Sequence, residues 1–434
     1  MDVFLTTQQK LHAAIRRISS RVNEFSYRPG IDFSRCRKIS FSDVLSFVLS
    51  LQGQCLDKEM RRFFSYSASP TSSAMIQARQ KVKPEAFEAL FSLFTRSCRS
   101  QGNFSGYSLL AADGSKFTFP ENKNAPSYWI KSSKKESGKN MLHLNALYQL
   151  QTGIFEEVFF QSVHEANEHL ALIRMLERSR IQKKYILLAD RGYESYNTFA
   201  WISSRGGCYL IRGKQGKTGI SSGLCLPEAE SFDVSVSITI CQHHTAKTKE
   251  HPEHFKRIRS DAHFDLFEKG VDEYPLEFRA VRIRLSKTKT ELLYTNLPKE
   301  EFPAEKLKEL YQRRWGIETA FNQLKHALSA EALHSAVPEQ ILQELYGKLI
   351  LFNFCKAVLH ELPVPQKRKR IYQYQFNMVM ALDTCRQFWR SCGKTAPEEI
   401  ETLLQKYLVP IRENRSCPRQ PVSRKIVYFT YRIS

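Results

Sequence analysis

The chain has 434 residues and a formal net charge of +21, from 65 Lys and Arg against 44 Asp and Glu. This length suffices for a buried core that needs no disulfide bonds. The positive charge attracts polyanions, and nucleic acid is the leading partner. A generally cationic surface without a specific partner is the alternative. The ten Cys include no CxxC pair, and no apolar, uncharged run is long enough to span a membrane. Both observations favour a cytoplasmic protein with reduced thiols and no membrane partner.

The first region, residues 1–104, has helical spacing of apolar residues in "FSDVLSFVLSLQGQCL" and "PEAFEALFSLFTRSCR". Between them, "SPTSSAMIQARQKVKPEAF" follows a Ser/Thr cap signal and predicts a short DNA-binding helix with Arg79, Lys81 and Lys83. An ordinary packing helix with solvated charges explains the same pattern equally well. We predict a helical N-terminal DNA-binding region over residues 1–104.

Beyond Tyr107 the spacing becomes that of strands, in "YSLLAADGSKFTFP", "MLHLNALYQL" and "GIFEEVFFQSV". A helix candidate, "EHLALIRMLERSRI", then leads into "YILLADRGY", an apolar run typical of a buried parallel strand. Three strands, a helix and a fourth strand describe a ribonuclease-H-like topology, although other α/β sheets fit the pattern. We predict an α/β fold with such a catalytic core over residues 105–204 and 298–335.

Two further regions complete the predicted organisation. Short β-branched stretches with polar connections fill residues 205–297 and predict a β-rich insertion. Residues 336–434 return to helical patterns and are basic, which predicts a helical C-terminal region. The basic runs "HFKRIR" (254–259) and "KRKR" (367–370) are phosphate contacts or solvated charges.

The stretch "YQRRWGIETAFNQLKHAL", residues 311–328, predicts an amphipathic helix. At about 100° per residue, Tyr311, Arg314, Glu318 and Lys325 share one narrow strip beside the apolar face. That position suits a Glu beside a metal ion, with the Arg, Lys and Tyr groups reaching phosphates. A surface helix carrying ordinary salt bridges is the alternative.

Two aspartates follow the buried-looking strands, Asp113 in "LLAADGSKF" and Asp190 in "YILLADRGY". Strand ends of α/β sheets form ligand-binding crevices, although each Asp alone could simply cap the next element. With Glu318, they could hold two divalent ions about 4 Å apart for phosphodiester transfer. All-oxygen ligands predict Mg²⁺, with Mn²⁺ as a substitute. Arg191, beside Asp190, would touch a phosphate or brace a carboxylate.

With these residues in view, the chain resembles the DDE transposases of the insertion-sequence-four family. The likeness covers the order and distance of the elements from about residue 105 to 330. Its signature is the spacing Y-x2-R-x3-E-x6-K, preceded by Asp in "DGS" and in "DRGY". The residues matching this signature are Asp113, Asp190, Tyr311, Arg314, Glu318 and Lys325.

This resemblance implies a ribonuclease-H-like catalytic domain, Mg²⁺ dependence and cut-and-paste movement of an insertion sequence. It also implies recognition of terminal inverted repeats in double-stranded DNA by a homodimer on two paired ends. In some relatives excision passes through a hairpin, with an aromatic side chain of the insertion stacked on a flipped base. No Trp lies in residues 205–297, so that contact would fall to Phe232, Phe264 or Tyr274.

Other site chemistries have weaker support. Cys241 and five His crowd into the insertion, but one Cys and irregular spacing match no common zinc finger, and a polar loop is favoured. No GxxxxGK[ST] loop supports an ATP-driven reaction. Two rivals to a transposase remain: an endonuclease of the same fold that cuts without joining, and a catalytically silent DNA-binding regulator of transposition.

Overall fold

The structure of the protein is a computed structural model. It describes the following residues: 3–35, 37–64, 69–99, 104–131, 138–179, 181, 184–216, 219–243, 246–258, 263–267, 272–286, 289–365, 371–390 and 396–412. The basic run at 367–370 lies outside these ranges, as does residue 259 at the end of "HFKRIR".

Helices occupy the described chain ahead of the sheet. They are α1 (Val3–Ser19), α2 (Val22–Phe25), α3 (Phe41–Ser50), α4 (Leu56–Phe64), α5 (Ser72–Arg79) and α6 (Pro84–Ser97). Local sequence sets where they begin. The Ser40 hydroxyl accepts from the Asp43 N–H, and the Asp43 carboxylate accepts from the Ser40 N–H, a capping box that starts α3. Pro84 starts α6 at a position where no N–H donor is needed.

The first part of the central sheet is formed by strands whose connections include two helices. Its elements are β1 (Ser108–Phe119), β2 (Trp129–Ile130), β3 (Lys139–Gln149), β4 (Ile154–Ser162), α7 (Glu168–Ser179), β5 (Tyr185–Ala189), α8 (Tyr196–Ser204) and β6 (Cys208–Arg212). The strand β1 lies between an antiparallel β3 and a parallel β5. Outside these, β4 is antiparallel to β3 and β6 is parallel to β5. The order β4-β3-β1-β5-β6 is that of a ribonuclease-H-like sheet.

The strands predicted as an insertion continue the same sheet. They are β7 (Phe232–Cys241), β8 (Phe255–Arg257), β9 (Glu273–Ser286) and β10 (Lys289–Thr295), with α9 (Ala246–Glu250) between β7 and β8. Beyond β6 the strand order is β10-β9-β7-β8, which makes ten strands among the described residues. The predicted boundary at residue 205 stays a prediction. The first strand of the predicted insertion, β6, pairs with the core strand β5.

The remainder of the described chain is mainly helical. Its elements are α10 (Ala304–Gln312), α11 (Trp315–Asn322), α12 (Pro338–Glu361), β11 (Tyr374–Phe376), α13 (Met378–Arg390), α14 (Pro397–Lys406) and β12 (Leu408–Pro410). The helix α12 is buried along most of its length and packs against α1, α3, α6 and β4. The N-terminal helices therefore share one apolar core with α12 and with one face of the sheet.

The prediction of one uninterrupted α-helix over residues 311–328 was wrong. A turn at Arg313 and Arg314 separates α10 from α11, and a π-helical turn over 323–327 follows α11. A π turn holds more residues than an α turn, so a constant 100° step misplaces the side chains beyond it. Gly316 allows close packing here, because a Cβ at this position would lie 2.8 Å from Leu150 Cδ2.

A buried ion pair joins α5 to α12. Arg79 Nη2 lies 3.0 Å from Glu344 Oε1, and the two residues are 1% and 0% exposed. The other carboxylate oxygen accepts from the His334 backbone N–H at 3.1 Å. Arg79 therefore cannot face DNA, and α5 is the packing helix that the sequence left as an alternative. Lys81 and Lys83 lie beyond its end and are partly exposed.

We predict that Glu344→Gln destabilises the protein by about 3–5 kcal/mol, because it leaves Arg79 buried without its counter-charge. Burial raises the pKa of Glu344, but the charges of Arg79, His334 and Lys348 outweigh burial and lower the pKa to about 2, so the carboxylate is ionised at neutral pH. Urea unfolding measures the change. The matched control is Glu339→Gln, at an exposed position of the same helix. Equal unfolding midpoints for both variants would contradict the prediction.

Candidate active site

The sheet register places Asp113 and Asp190 side by side. In the parallel β1–β5 pair, Ala112 lies opposite Ala189, and the next residue of each chain segment is the aspartate. Parallel neighbours are about 4.8 Å apart, so both carboxylates enter one crevice. The crevice exists because β5 ends at Ala189, whereas β1 continues to Phe119 beside β3.

Glu318 reaches the same region from α11, whose apolar side packs against β1. Arg314 Nη2 donates a 2.8 Å hydrogen bond to Glu318 Oε1, and the Arg314 side chain is only 4% exposed. The Tyr311 hydroxyl donates a long, 3.5 Å hydrogen bond to Asp190 Oδ1. The structure therefore places Tyr311, Arg314 and Glu318 near the aspartate pair.

Two other predicted residues lie at the margin of this group. Lys325 Nζ donates to the Lys116 carbonyl at 2.7 Å and lies 4.7 Å from the centre of the Phe117 ring. It is held along β1, beyond Asp113, and does not share a strip with Glu318. Arg191 is exposed beside Asp190.

Arg212 and Glu291 also belong to the group, although sequence reasoning missed both. Arg212 Nη1 lies 3.8 Å from Asp190 Oδ1, and its Nε lies 3.1 Å from Glu291 Oε1. Arg212 ends β6, next to the strand that precedes Asp190. The strand-end argument that found Asp190 would have found Arg212 as well, had "CYLIRGK" been assigned to the core sheet.

Burial and neighbouring charges both act on the protonation of Asp113. Burial raises the pKa of Asp113 to about 6, helped by the charges of Glu318 and Glu168. The Gly114 N–H, 2.8 Å from Asp113 Oδ1, and the Arg314 charge act in the opposite direction. Like charges in a partly buried site favour the neutral acid. The crevice thus holds more negative charge than its arginines neutralise.

These residues fit a hard divalent cation by their donor chemistry. They offer carboxylate oxygens, the ligands that Mg²⁺ prefers, and a cation would favour the ionised form of Asp113, which burial and the neighbouring carboxylates disfavour. As the side chains stand, no three His, Cys, Asp or Glu groups in the described ranges are close enough to hold a metal ion. Arg314 instead donates a hydrogen bond to Glu318.

The cluster of His in the insertion forms separate ion pairs. His263 Nε2 lies 2.7 Å from Asp265 Oδ1, and His251 Nδ1 lies 3.3 Å from Glu253 Oε1. These contacts are typical of a polar surface, which is the interpretation that the sequence favoured. His244 lies outside the described residues.

Comparison with known proteins places this site in a family. Residues 104–354, more than half of the chain, match the family model described as the transposase DDE domain. The chain belongs to this family. The matched range contains every acidic residue of the site described above. Within the described residues of this DDE-family chain, no helix is long and apolar enough to cross a membrane.

Individual relatives match over shorter stretches. The DDE-family chain is 30% identical over 123 residues to the transposase for insertion sequence element IS231F of Bacillus thuringiensis subsp. israelensis, which is 28% of this chain and 25% of that protein. It is 39% identical over 59 residues to the putative transposase InsL for insertion sequence element IS186A of Escherichia coli (strain K12), which is 14% of this chain and 16% of that protein. The chain thus spans a quarter or less of the length of these relatives.

A cryo-EM structure of the piggyBac transposase synaptic complex with hairpin DNA is similar at a TM-score of 0.46 and 9% identity. That similarity covers 93% of the DDE-family chain and 86% of the other chain. A TM-score below 0.5 does not establish a common fold.

We predict that Asp113→Asn stabilises the metal-free protein, by up to about 3 kcal/mol at pH 8. The pKa of Asp113 is about 6 in the fold against an ordinary 3.8, so ionisation opposes folding. This destabilisation is absent below about pH 4 and complete above about pH 6, so the gain should grow between these values. Thermal unfolding in EDTA at several pH values measures it.

The control for this experiment is Asp57→Asn, which removes an exposed carboxylate from α4. It should change the unfolding temperature little at any pH. A loss of stability in Asp113→Asn at pH 8 would contradict the predicted sign.

Proposed function

We propose that the chain is a transposase of the insertion-sequence-four family that moves an insertion sequence by cut-and-paste transposition. The observation that supports this most is the aspartate pair at the ends of adjacent parallel strands, with Glu318 facing it, in a chain of the transposase DDE domain family. Strand cleavage and strand transfer at terminal inverted repeats are both phosphodiester reactions that carboxylate-bound divalent ions promote.

Asp113, Asp190 and Glu318 are the residues proposed to hold Mg²⁺, with Mn²⁺ as a substitute. When bound, the ions would supply activation of water or of a 3′-hydroxyl and stabilisation of the leaving 3′-oxygen. The protein's own part is to orient the carboxylates. Arg314 holds Glu318 through the 2.8 Å hydrogen bond, and Tyr311 holds Asp190.

Cations at the edge of the crevice suit phosphate binding. Arg191 is exposed next to Asp190, and Lys325 lies along β1 at the other side of Asp113. We assign both to the phosphates that flank the reacting bond. The buried Arg314 and Tyr311 would reach only a phosphate that enters the crevice itself.

A basic groove in the N-terminal region supports DNA binding away from the crevice. It has a volume of about 790 Å³ and lies between the loop over 28–39 and α5. Arg28, Arg35, Arg37, Lys38 and Lys81 line it. Apart from Arg28, which pairs with Asp32 at 2.9 Å, no ion pair is described for these cations. Exposed cations without counter-charges bind the phosphate backbone.

We further propose the predicted organisation: a DNA-binding region over 1–104, a core over 105–204 and 298–335, an insertion over 205–297 and a basic C-terminal region over 336–434. The partners are double-stranded transposon ends and target DNA, bound by a homodimer on paired ends in the cytoplasm. All three aromatic candidates for stacking on a flipped base have other contacts. Tyr274 packs against Phe264, with ring centres 5.5 Å apart. Phe264 is 7% exposed and packs against Phe267, and Arg282 lies 4.7 Å from the Phe232 ring centre.

We expect Asp113→Asn, Asp190→Asn and Glu318→Gln each to reduce Mg²⁺-dependent cleavage of transposon-end DNA at least about a thousandfold. Binding of the same DNA should persist, because the groove cations are unchanged. Labelled duplexes carrying the ends that flank the gene, incubated with Mg²⁺ or EDTA and run on denaturing gels, measure cleavage. Electrophoretic mobility shifts measure binding.

The control is Glu177→Gln, an exposed position of α7 that pairs only with Arg174, at 3.6 Å, among the described contacts. It should cleave like the unaltered protein. Cleavage without strand-transfer products would indicate the endonuclease. Binding without cleavage under every metal tested would indicate the regulator and defeat the proposal.

We predict that Arg37→Ala with Lys38→Ala weakens binding to duplex DNA and flattens its salt dependence. Each lost phosphate contact should lower the slope of log K against log salt by about 0.9, so the pair should lower it by up to about 1.8. Fluorescence anisotropy at several salt concentrations measures the slope. The control, Arg16→Ala with Arg17→Ala, removes the same charge from an exposed part of α1. Equal slopes for the two double variants would contradict the assignment of the groove to DNA binding.

A further inference from the structure

Glu168, the first residue of α7, stands between the two backbone segments that carry the aspartates. A Cβ built on Gly114, the residue after Asp113, would lie 3.0 Å from Glu168 Oε1. A Cβ built on Gly192, two residues after Asp190, would lie 3.0 Å from the other oxygen, Oε2. The carboxylate therefore bridges the two segments at contact distance. It can do so because glycine occupies both positions.

The charges of these groups act on one another. Burial raises the pKa of Glu168, and the nearby Asp190 raises it further, against the charge of Lys116. Glu168 in turn is one of the carboxylates that raise the pKa of Asp113. Glu168 thus adds a further negative charge to the crevice.

The group behind Glu168 does not neutralise it. His143 Nε2 lies 3.5 Å from Glu168 Oε1, but His143 is 5% exposed and burial lowers its pKa, helped by the Lys116 charge. A neutral imidazole supports the carboxylate without supplying a positive charge. His143 Nδ1 is buried and has no hydrogen-bond partner among the described residues.

Capping of α7 does not explain the position of the Glu168 carboxylate either. The side-chain oxygen of Asn167 already accepts from the Leu170 N–H at 3.0 Å, which caps the first turn. Glu168 is therefore free to point toward the aspartates.

A buried hydroxyl provides an independent observation. Tyr193 is 2% exposed, and its hydroxyl has no hydrogen-bond partner in the described part of the chain. Burial raises the pKa of Tyr193, and the charges of Glu168, Asp113 and Asp190 raise it further, so its hydroxyl lies within the electrostatic influence of all three carboxylates. An unpaired buried hydroxyl is costly. A ligand with oxygen atoms between the carboxylates would satisfy it.

We propose that Glu168 is a fourth carboxylate of the divalent-cation site, placed between Asp113 and Asp190, and that the Tyr193 hydroxyl donates to a water of the hydrated ion. This inference rests on the proposed function and adds two residues to its site. Mg²⁺ and Mn²⁺ suit such an arrangement, because Mg²⁺ keeps several waters when carboxylates bind it. Tyr193 is then a positioning residue, since it acts through the water.

Mn²⁺ binding to the full chain without DNA, measured by isothermal titration calorimetry, tests this role. Glu168→Gln should weaken Mn²⁺ binding at least about tenfold, and Glu168→Asp should retain more affinity than Glu168→Gln. Tyr193→Phe should weaken binding a few-fold. Glu177→Gln, at the other end of the same helix, should bind Mn²⁺ like the unaltered protein.

Thermal unfolding in EDTA separates this role from a structural one. If Glu168 serves the cation, Glu168→Gln relieves repulsion and unfolds at the same temperature as the unaltered protein, or higher. A purely structural Glu168 would lower the unfolding temperature in EDTA and leave the Mn²⁺ affinity of the folded protein unchanged, which would overturn the inference. If Glu168→Gln does not fold, Mn²⁺ affinities of Glu168→Asp and Tyr193→Phe equal to that of the unaltered protein would overturn it.

Asp113→Asn, measured in parallel, distinguishes failure of the Glu168 role from failure of the proposed function. If Asp113→Asn loses Mn²⁺ binding and end cleavage while Glu168→Gln keeps both, the fourth carboxylate is wrong and the proposed function stands. If Asp113→Asn still cleaves transposon ends at the original rate, the proposed function fails, whatever Glu168→Gln does.

Discussion

The pairing of β1 with β5 in parallel, with Ala112 opposite Ala189, is the constraint on which the site depends. It forces Asp113 and Asp190 into adjacent positions at the mouth of one crevice. Like charges at this spacing repel, and burial removes the water that would screen them. Burial, together with the charges of Glu318 and Glu168, raises the pKa of Asp113 to about 6.

Cations from neighbouring elements moderate the repulsion without removing it. Arg314 binds Glu318 from the break between α10 and α11, and Arg212 approaches Asp190 from the end of β6. Both arginines are themselves held by second acidic or aromatic partners, Glu291 for Arg212 and the Tyr311 ring for Arg314. The arginines hold the carboxylates in place and leave net negative charge in the crevice, which favours binding of a divalent cation.

The rest of the chain supports these elements from a distance. The helix α12 packs on the sheet and on the N-terminal helices, and the buried Arg79–Glu344 pair ties α5 to it. Loss of either partner would leave a buried charge without compensation. The strands β7 to β10 extend the sheet and do not form a separate layer, which is why Glu291 of β10 can reach the site.

Sequence alone predicted the strands and helix from β1 to β5 and proposed the three acidic residues, with their Tyr and Arg neighbours, as the site, because apolar spacing and strand-end position are local properties. It could not place Arg79, whose charge is buried by a partner 265 positions away. It also missed Arg212, Glu291, Glu168 and Tyr193. Their roles follow from which strands pair and which backbone segments approach within contact distance. Such contacts depend on packing between distant parts of the chain, and only the tertiary structure decided them.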